Sequence, residues 1–191
     1  MSSNFLRNYI QEHHQALDSI DVESVDKIIQ LFQTALKEDR QIFVFGNGGS
    51  AANASHFITD LGKGASDKTY RRFRCLSIND NVSWITAIGN DYAYEDIFLR
   101  QLENYAKPND LILMMSVSGN SPNLVKATEW ANNNEVYSIA LTGRTGGKLK
   151  ELADLVIPIA SDHYGRVEDC HMHICHMICY AFMEQKELQE A

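Results

Sequence analysis

The sequence predicts an α/β protein in which helices cover both faces of a parallel β-sheet. Five short, nearly continuous apolar runs recur along the 191 residues, each of a length suited to one buried strand. Segments with helical spacing of apolar residues separate these runs, and this alternation implies right-handed βαβ crossovers. Loops rich in glycine or serine follow two of the runs, at the edge where ligands bind in open parallel sheets. An active site is therefore expected at the carboxyl ends of the strands.

Two amphipathic helices are predicted ahead of the first strand, over residues 2–20 and 22–38. Aromatic, histidine and leucine side chains are four apart from Phe5 to Leu17, and apolar residues follow mixed three and four spacing from Val25 to Leu36. The apolar runs that follow predict strands over residues 41–45, 75–78, 111–115, 136–141 and 155–159.

A long final helix is predicted over residues 165–187. Its apolar stripe is expected to pack against another helix, of this chain or of another subunit. No internal repeat and no linker rich in proline, glycine or serine interrupts the sequence, so one domain spanning residues 1–191 is predicted. The stripe consists of Val167, Cys170, Ile174, Ile178 and Phe182.

Composition narrows the class of protein. With 17 basic against 25 acidic residues and a net charge of -8, the totals do not indicate a surface for a nucleic-acid backbone. The amino terminus is polar and lacks the apolar run of a signal peptide or a membrane span, so we expect a cytoplasmic protein that binds neither nucleic acid nor membrane. The cysteines do not have the spacing of a disulfide framework and are expected to be reduced thiols. They are Cys75, Cys170, Cys175 and Cys179.

A glycine-rich loop, FGNGGSAA over residues 45–52, follows the first predicted strand. Gly48 and Gly49 allow a ligand to approach the backbone closely, and Ser50 is expected to cap the helix behind the loop. An anion bound here would meet several N–H groups and the positive end of a helix. A plain tight turn explains the same residues, so this loop alone is weak evidence for a site.

A serine-rich loop, SVSGNSP over residues 116–122, follows the third predicted strand. Its hydroxyls and exposed N–H groups make it the better phosphate cradle, and Pro122 suits the first turn of the next helix. A serine cap on a flexible loop is the alternative interpretation. A third loop, TGRTGG over residues 142–147, fits a turn with a helix entry as well as it fits a ligand role.

Four segments link these loops to a known family: GNGGSAANASHF, AIGNDYAYEDIF, SVSGNSPN and ALTGRTGGKLKELAD. Their order and spacing resemble the motifs of the phosphoheptose (sedoheptulose 7-phosphate) isomerases, a branch of the sugar isomerase (SIS) family. The resemblance extends over nearly the whole chain. It implies a flavodoxin-like, three-layer α/β/α sandwich with an N-terminal helical extension. It also implies a homotetramer with active sites between subunits, in which the helices of residues 1–38 pack at the interfaces.

The resemblance implies a set of substrate-binding residues as well. Three serines of the second loop, Ser116, Ser118 and Ser121, would hold the phosphate, while Val117 replaces the family's threonine and removes one hydroxyl donor. The full set is Asn47, Gly48, Gly49, Ser50, Asp60, Asn90, Asp91, Ser116, Val117, Ser118, Ser121 and Glu168.

Catalytic and metal-binding positions follow from the same resemblance. The family's histidine and, four residues later, glutamate correspond to His56 and Asp60, which share one helix face. Its glutamine and, eight residues later, histidine correspond to Glu168 and His176. Together these four side chains form a nitrogen and oxygen set suited to one divalent ion per subunit, such as zinc, which is structural, catalytic or absent. Because eight residues rise about 12 Å along a helix, Glu168 and His176 of one chain would not easily meet at one ion.

The implied activity is an aldose–ketose isomerisation of sedoheptulose 7-phosphate to a heptose 7-phosphate through an enediol, for heptose precursor synthesis. Asp60 and His176 are expected to form the acid–base pair, with Glu168 orienting the substrate or holding the ion. A carboxylate at Glu168 close to Asp60 would raise one pKa of the pair. Two alternatives stay open: a non-catalytic regulator that binds a sugar phosphate, and an SIS isomerase of another sugar phosphate.

Overall fold

A computed structural model describes residues 2–190 of the chain. Its centre is a five-stranded sheet in the order β2-β1-β3-β4-β5, in which every neighbouring pair is parallel. The strands are β1 Gln41–Gly46, β2 Arg74–Ser77, β3 Leu111–Ser116, β4 Tyr137–Thr142 and β5 Leu155–Pro158. The predicted α/β class and the parallel sheet are confirmed.

Helices precede, connect and follow these strands. The α-helices are α1 Ser2–Leu17, α2 Val22–Lys37, α3 Gly49–Thr59, α4 Val82–Asp91, α5 Leu99–Tyr105, α6 Pro122–Asn133, α7 Leu149–Leu152, α8 Tyr164–Glu184 and α9 Lys186–Gln189. A 3-10 turn covers Tyr94–Asp96, and a π-helix, Asp60–Ala65, continues directly from α3. None of the helices within residues 2–190 is long and apolar enough to cross a membrane.

Two hydrophobic cores lie on opposite faces of the sheet. In β1, Ile42 and Val44 pack with α2, α3, α8 and the π-helix, whereas Phe43 and Phe45 pack with α4 to α7. This alternation follows from the period of two along a strand, which sends successive side chains to opposite faces. The result is the three-layer α/β/α arrangement.

The long helix α8, which corresponds to the predicted final helix, packs against helices of its own chain. Its five predicted stripe residues are fully buried, and α8 contacts α1, α2, α3 and the π-helix. The predicted end at residue 187 was wrong, because Gln185 adopts an extended backbone conformation and α8 stops at Glu184. The Gln189 side chain then donates to the carbonyls of Phe182 and Met183, which satisfies acceptors of the last turn.

The order of the strands places an opening between β1 and β3. From β1 the chain crosses to β2 on one side, and the later strands extend on the other side. Such a reversal separates the loops that follow two neighbouring strands and leaves a crevice at their carboxyl ends. Here those loops are the glycine-rich loop before α3 and the serine-rich loop before α6.

Candidate active site

A small polar cavity of about 70 Å³ lies between the two loops. Among the described residues that line it, none is a lysine or an arginine, so an anion would depend on hydroxyls, N–H groups and the N-terminus of α6. Its volume suits a compact group such as phosphate rather than a whole sugar. The lining residues are Asn47, Ser50, Met115, Ser116, Val117, Ser118, Ser121, Tyr164 and Glu168.

Hydrogen bonds within the serine-rich loop fix its shape. The Ser116 hydroxyl accepts from the Gly119 N–H at 3.1 Å and lies 3.4 Å from the Ser121 hydroxyl. Gly119 has a φ of +62°, and a Cβ there would overlap the Gly146 carbonyl. Pro122 occupies the first turn of α6, as predicted. The loop of residues 142–147 therefore supports the serine-rich loop through direct backbone contact.

The glycine-rich loop brings the start of α3 against α8. A Cβ at Gly49 would overlap the Glu168 carboxylate, and the Asn53 side chain donates to the Glu168 carbonyl at 2.9 Å. The expectation that Ser50 caps α3 was wrong. Gly48 is the N-cap residue, with a φ of +57°, and Ser50 lies buried within the first turn.

Glu168 lines the cavity, and its surroundings shift the pKa of its carboxyl group. Burial raises the pKa of its carboxyl group, and the nearby charge of Asp169 raises it further. The cause is thus burial and Asp169, rather than the proximity to Asp60 that the sequence suggested.

A second group of side chains converges at the end of α3. The Asp60 carboxylate lies 3.3 Å from His56 Nε2 and 3.5 Å from His176 Nε2. One ligand atom from each of these three residues lies within 4.8 Å of the others, a spacing that a metal ion could bridge. Glu168 is not in this group. It contacts the start of α3, whereas His176 meets the end of α3.

Five predicted substrate-binding residues are not among those that line the cavity: Gly48, Gly49, Asp60, Asn90 and Asp91. Asn90 and Asp91 are at the exposed end of α4, where the Asn90 side chain donates to the Asp91 carboxylate at 2.9 Å. A single chain does not bring them to the serine-rich loop. Gly48 is exposed at the tip of the first loop.

Besides Met115 and Tyr164, which line the cavity, sequence reasoning missed two residues that contact the site. Asn123 and Tyr94 both hydrogen-bond to the side chain of Asn47. They are 76 and 47 positions away from it, so no spacing signal connects them. Both lie inside the motifs SVSGNSPN and AIGNDYAYEDIF, and this was the one available signal.

The remaining histidine and cysteine residues of α8 are mostly structural. Cys170, His171, Cys175 and Cys179 are buried, and all four cysteines of the chain are free thiols. Burial raises the pKa of Cys175 and Cys179 and lowers the pKa of His171 to about 4. These groups therefore stay uncharged and pack in the core.

The fold is a three-layer α/β domain with a cavity at the carboxyl ends of β1 and β3, and the model of the SIS domain family matches residues 7–143. The chain belongs to the phosphoheptose isomerase family of SIS proteins. It is 37% identical over 180 residues to a Thermoplasma acidophilum protein named "Probable phosphoheptose isomerase", covering 94% of this chain and 98% of that one. It is 35% identical to the Helicobacter pylori phosphoheptose isomerase, covering 94% of each chain.

Solved structures agree with this assignment. The phosphoheptose isomerase from Neisseria gonorrhoeae superposes with a TM-score of 0.88 at 28% identity, covering 95% of this chain and 98% of that one. The expected family and the three-layer fold are thus confirmed.

Proposed function

We propose that this protein is an aldose–ketose isomerase that converts sedoheptulose 7-phosphate to a heptose 7-phosphate. One observation carries the proposal: His56, Asp60 and His176 converge at one end of the α3–α8 pair, whose other end borders the serine-lined cavity. The proposal is that these three side chains are the reacting groups and that the serine-lined cavity holds the phosphate of the same substrate. Family membership supports the choice of substrate.

The phosphate of the substrate would occupy the cavity beside the serine-rich loop. Ser116, Ser118 and Ser121 supply hydroxyls there, and the first turn of α6 supplies N–H groups and a partial positive charge. Val117 packs against the core and offers no hydroxyl, so its backbone N–H remains as its donor. Glu168 would orient a substrate hydroxyl next to this cradle.

Asp60 and His176 would perform the proton transfers. Isomerisation moves a proton between C1 and C2, which needs a base for the carbon-bound proton and an acid for the oxygens of the enediol. The Asp60 carboxylate and the His176 imidazole are partly exposed, within 3.5 Å of each other, and accessible to a ligand. His56 contacts the same carboxylate and would hold its orientation.

As an alternative to this acid–base role, the same three side chains fit a zinc ion, because two imidazole nitrogens and a carboxylate oxygen are ligands that zinc accepts. Asp60 and His176 would then serve as ligands and not as the proton-transfer pair. His56, Asp60 and His176 would hold the ion, with Glu168 outside this set. A bound ion would supply charge stabilisation for the developing enediolate.

We further propose a cytoplasmic homotetramer in which the sites lie between subunits. The exposed apolar side chains of α1, Phe5, Leu6 and Ile10, support an interface for a second copy. A neighbouring subunit would bring further residues, such as Asn90 and Asp91, toward the substrate. Light scattering after gel filtration tests the assembly.

Purified protein of known metal content, incubated with sedoheptulose 7-phosphate, tests the function directly. We expect formation of the aldose phosphate by the wild-type protein and its loss in His176→Ala. Ligand-induced thermal stabilisation without turnover would instead identify a sugar-phosphate sensor, and turnover of only another sugar phosphate would reject the proposed substrate.

A further inference from the structure

We propose that Asn123 and Tyr94 are positioning residues that hold the Asn47 side-chain amide in a single orientation, as a hydrogen-bond donor to an oxygen of the ligand. This inference rests on the proposed function, since Asn47 lines the cavity assigned to the sugar phosphate. It concerns residues of α6 and of the 3-10 turn rather than the two loops themselves.

The side chains of Asn47 and Asn123 form a reciprocal amide pair. Asn47 Nδ2 donates to Asn123 Oδ1 at 2.9 Å, and Asn123 Nδ2 donates to Asn47 Oδ1 at the same distance. Taken alone, such a pair would be satisfied equally well with both amides flipped. The orientation of an amide must therefore be assigned from its other partners.

A backbone group breaks this symmetry. The Leu124 N–H donates to the Ser121 carbonyl at 3.0 Å and also to Asn123 Oδ1 at 3.1 Å, and an amide nitrogen at the Oδ1 position could not accept this second bond and would place two donors against each other. Asn123 is only 1% exposed, so water offers no alternative partner for a flipped side chain. The α6 backbone thus fixes Asn123, and Asn123 fixes Asn47.

Tyr94 completes the arrangement. Its hydroxyl donates to Asn47 Oδ1 at 3.1 Å, so this oxygen already accepts two hydrogen bonds and has no lone pair left for a ligand. Of the two hydrogens on Asn47 Nδ2, one is donated to Asn123. The other has no partner in the part of the chain that the structure describes. Asn47 can therefore donate to a ligand oxygen but cannot accept from a ligand hydroxyl.

A double-mutant cycle tests whether Asn123 acts through Asn47. For sedoheptulose 7-phosphate, Asn47→Ala and Asn123→Ala are each expected to lower kcat/KM roughly tenfold, the effect of one lost hydrogen bond. The double variant should match Asn47→Ala within about twofold, because the two residues act as one unit. A double variant whose loss is the product of the single losses would overturn the proposal.

Tyr94→Phe keeps the test decisive if Asn123→Ala unfolds, because Tyr94 is largely exposed. It should lower kcat/KM about threefold in the wild-type background, as expected for a weaker neutral hydrogen bond, and have no effect on Asn47→Ala. Asn132→Ala is the matched control, since Asn132 lies on the same helix and its amide donates to the Leu152 carbonyl, away from the site. An equal loss of activity in the control would also count against the proposal.

Nuclear magnetic resonance of the ligand-free protein separates this inference from the proposed function. We expect the side-chain amide signals of Asn47 to move in Asn123→Ala and to stay in place in Asn132→Ala. If the wild-type protein turned over no sugar phosphate but showed this shift, the function would fail while the positioning role stood. Unchanged Asn47 signals in Asn123→Ala would reject the positioning role itself.

Discussion

The imidazole rings of His56 and His176 come from different helices and meet edge to face, with their centroids 5.2 Å apart. The Asp60 carboxylate lies within 3.5 Å of both rings. Side chains 120 positions apart in sequence thus form one polar cluster, and it is the cluster on which the proposed chemistry depends.

Two substitutions at Asp60 should distinguish the effect of its negative charge on turnover from the effect of its side-chain length. Asp60→Asn removes the carboxylate but keeps the shape, and we expect kcat to fall roughly 100- to 10,000-fold, as for loss of an acid–base group. Asp60→Glu introduces the residue expected for the family and should retain more activity than Asp60→Asn. Steady-state kinetics measures both. Wild-type turnover in Asp60→Asn would remove Asp60 from the mechanism.

Zinc binding should depend on the two clustered histidines. His56→Ala and His176→Ala each remove one nitrogen ligand, so we expect less zinc to be retained after equilibration with the metal and gel filtration. His173→Ala is the control, because His173 lies on the same helix outside the cluster. Elemental analysis gives the readout. Equal zinc content in all three variants would argue against this site.

Hydroxyls of the serine-rich loop should contribute to KM. Ser118→Ala and Ser121→Ala each remove one donor to the phosphate, and KM is expected to rise about threefold to tenfold with a smaller change in kcat. Stability should change little, because the Ser121 side chain makes no capping bond to α6. Ser83→Ala, at an exposed position of α4, is the control. An unchanged KM in both loop variants would place the phosphate elsewhere.

Glu168→Gln should stabilise the protein near neutral pH. The folded-state pKa of Glu168 lies above its ordinary value, so the folded protein binds the proton more tightly and its stability is reduced as pH rises through that pKa. A neutral amide avoids this loss. The melting temperature of Glu168→Gln should therefore exceed that of wild type at pH 7.5, with a difference that shrinks toward pH 4. A constant difference would indicate a packing effect instead.

His171 should make stability sensitive to mild acid. Its pKa is lowered to about 4 by burial, while Nε2 lies 3.2 Å from the Thr142 carbonyl. Because the folded-state pKa lies below the unfolded value, stability is fully present above the unfolded pKa and is lost as pH falls. From pH 7 to pH 5 this loss is roughly 2 kcal/mol in the free energy of unfolding. Urea denaturation of wild type and His171→Gln at both pH values should show a smaller loss in the variant.

The parallel sheet and its covering helices could be predicted from the sequence, because buried strands produce uninterrupted apolar runs. All five predicted strands overlap the observed ones, with ends that differ by at most one residue. The π-helix and the short 3-10 turn were not predicted, since a single turn leaves no periodic pattern. Likewise, Ser50 looked like a cap because serine prefers that position, yet Gly48, with its positive φ, is the N-cap and the helix begins two residues earlier than a Ser50 cap would allow.

The site was only partly predictable for a physical reason. His56 and Asp60 share a helix face, so their spacing alone indicated contact, whereas their meeting with His176 depends on how α3 packs against α8. The Asn47–Asn123 pair depends on the crevice between β1 and β3 in the same way. Tertiary contacts of this kind leave no trace in local spacing.

The π-helix that begins at Asp60 limits how related chains can vary in length. The Leu61 carbonyl accepts from the N–H of Ser66, five residues later, and a Cβ at Gly62 would lie 3.0 Å from the Cys75 sulfur. An insertion or deletion here would change the widened turn and move this packed segment, including the carboxylate at its start. Gaps in alignments of homologous isomerases should therefore fall outside residues 60–65, and length variation should collect in exposed connections.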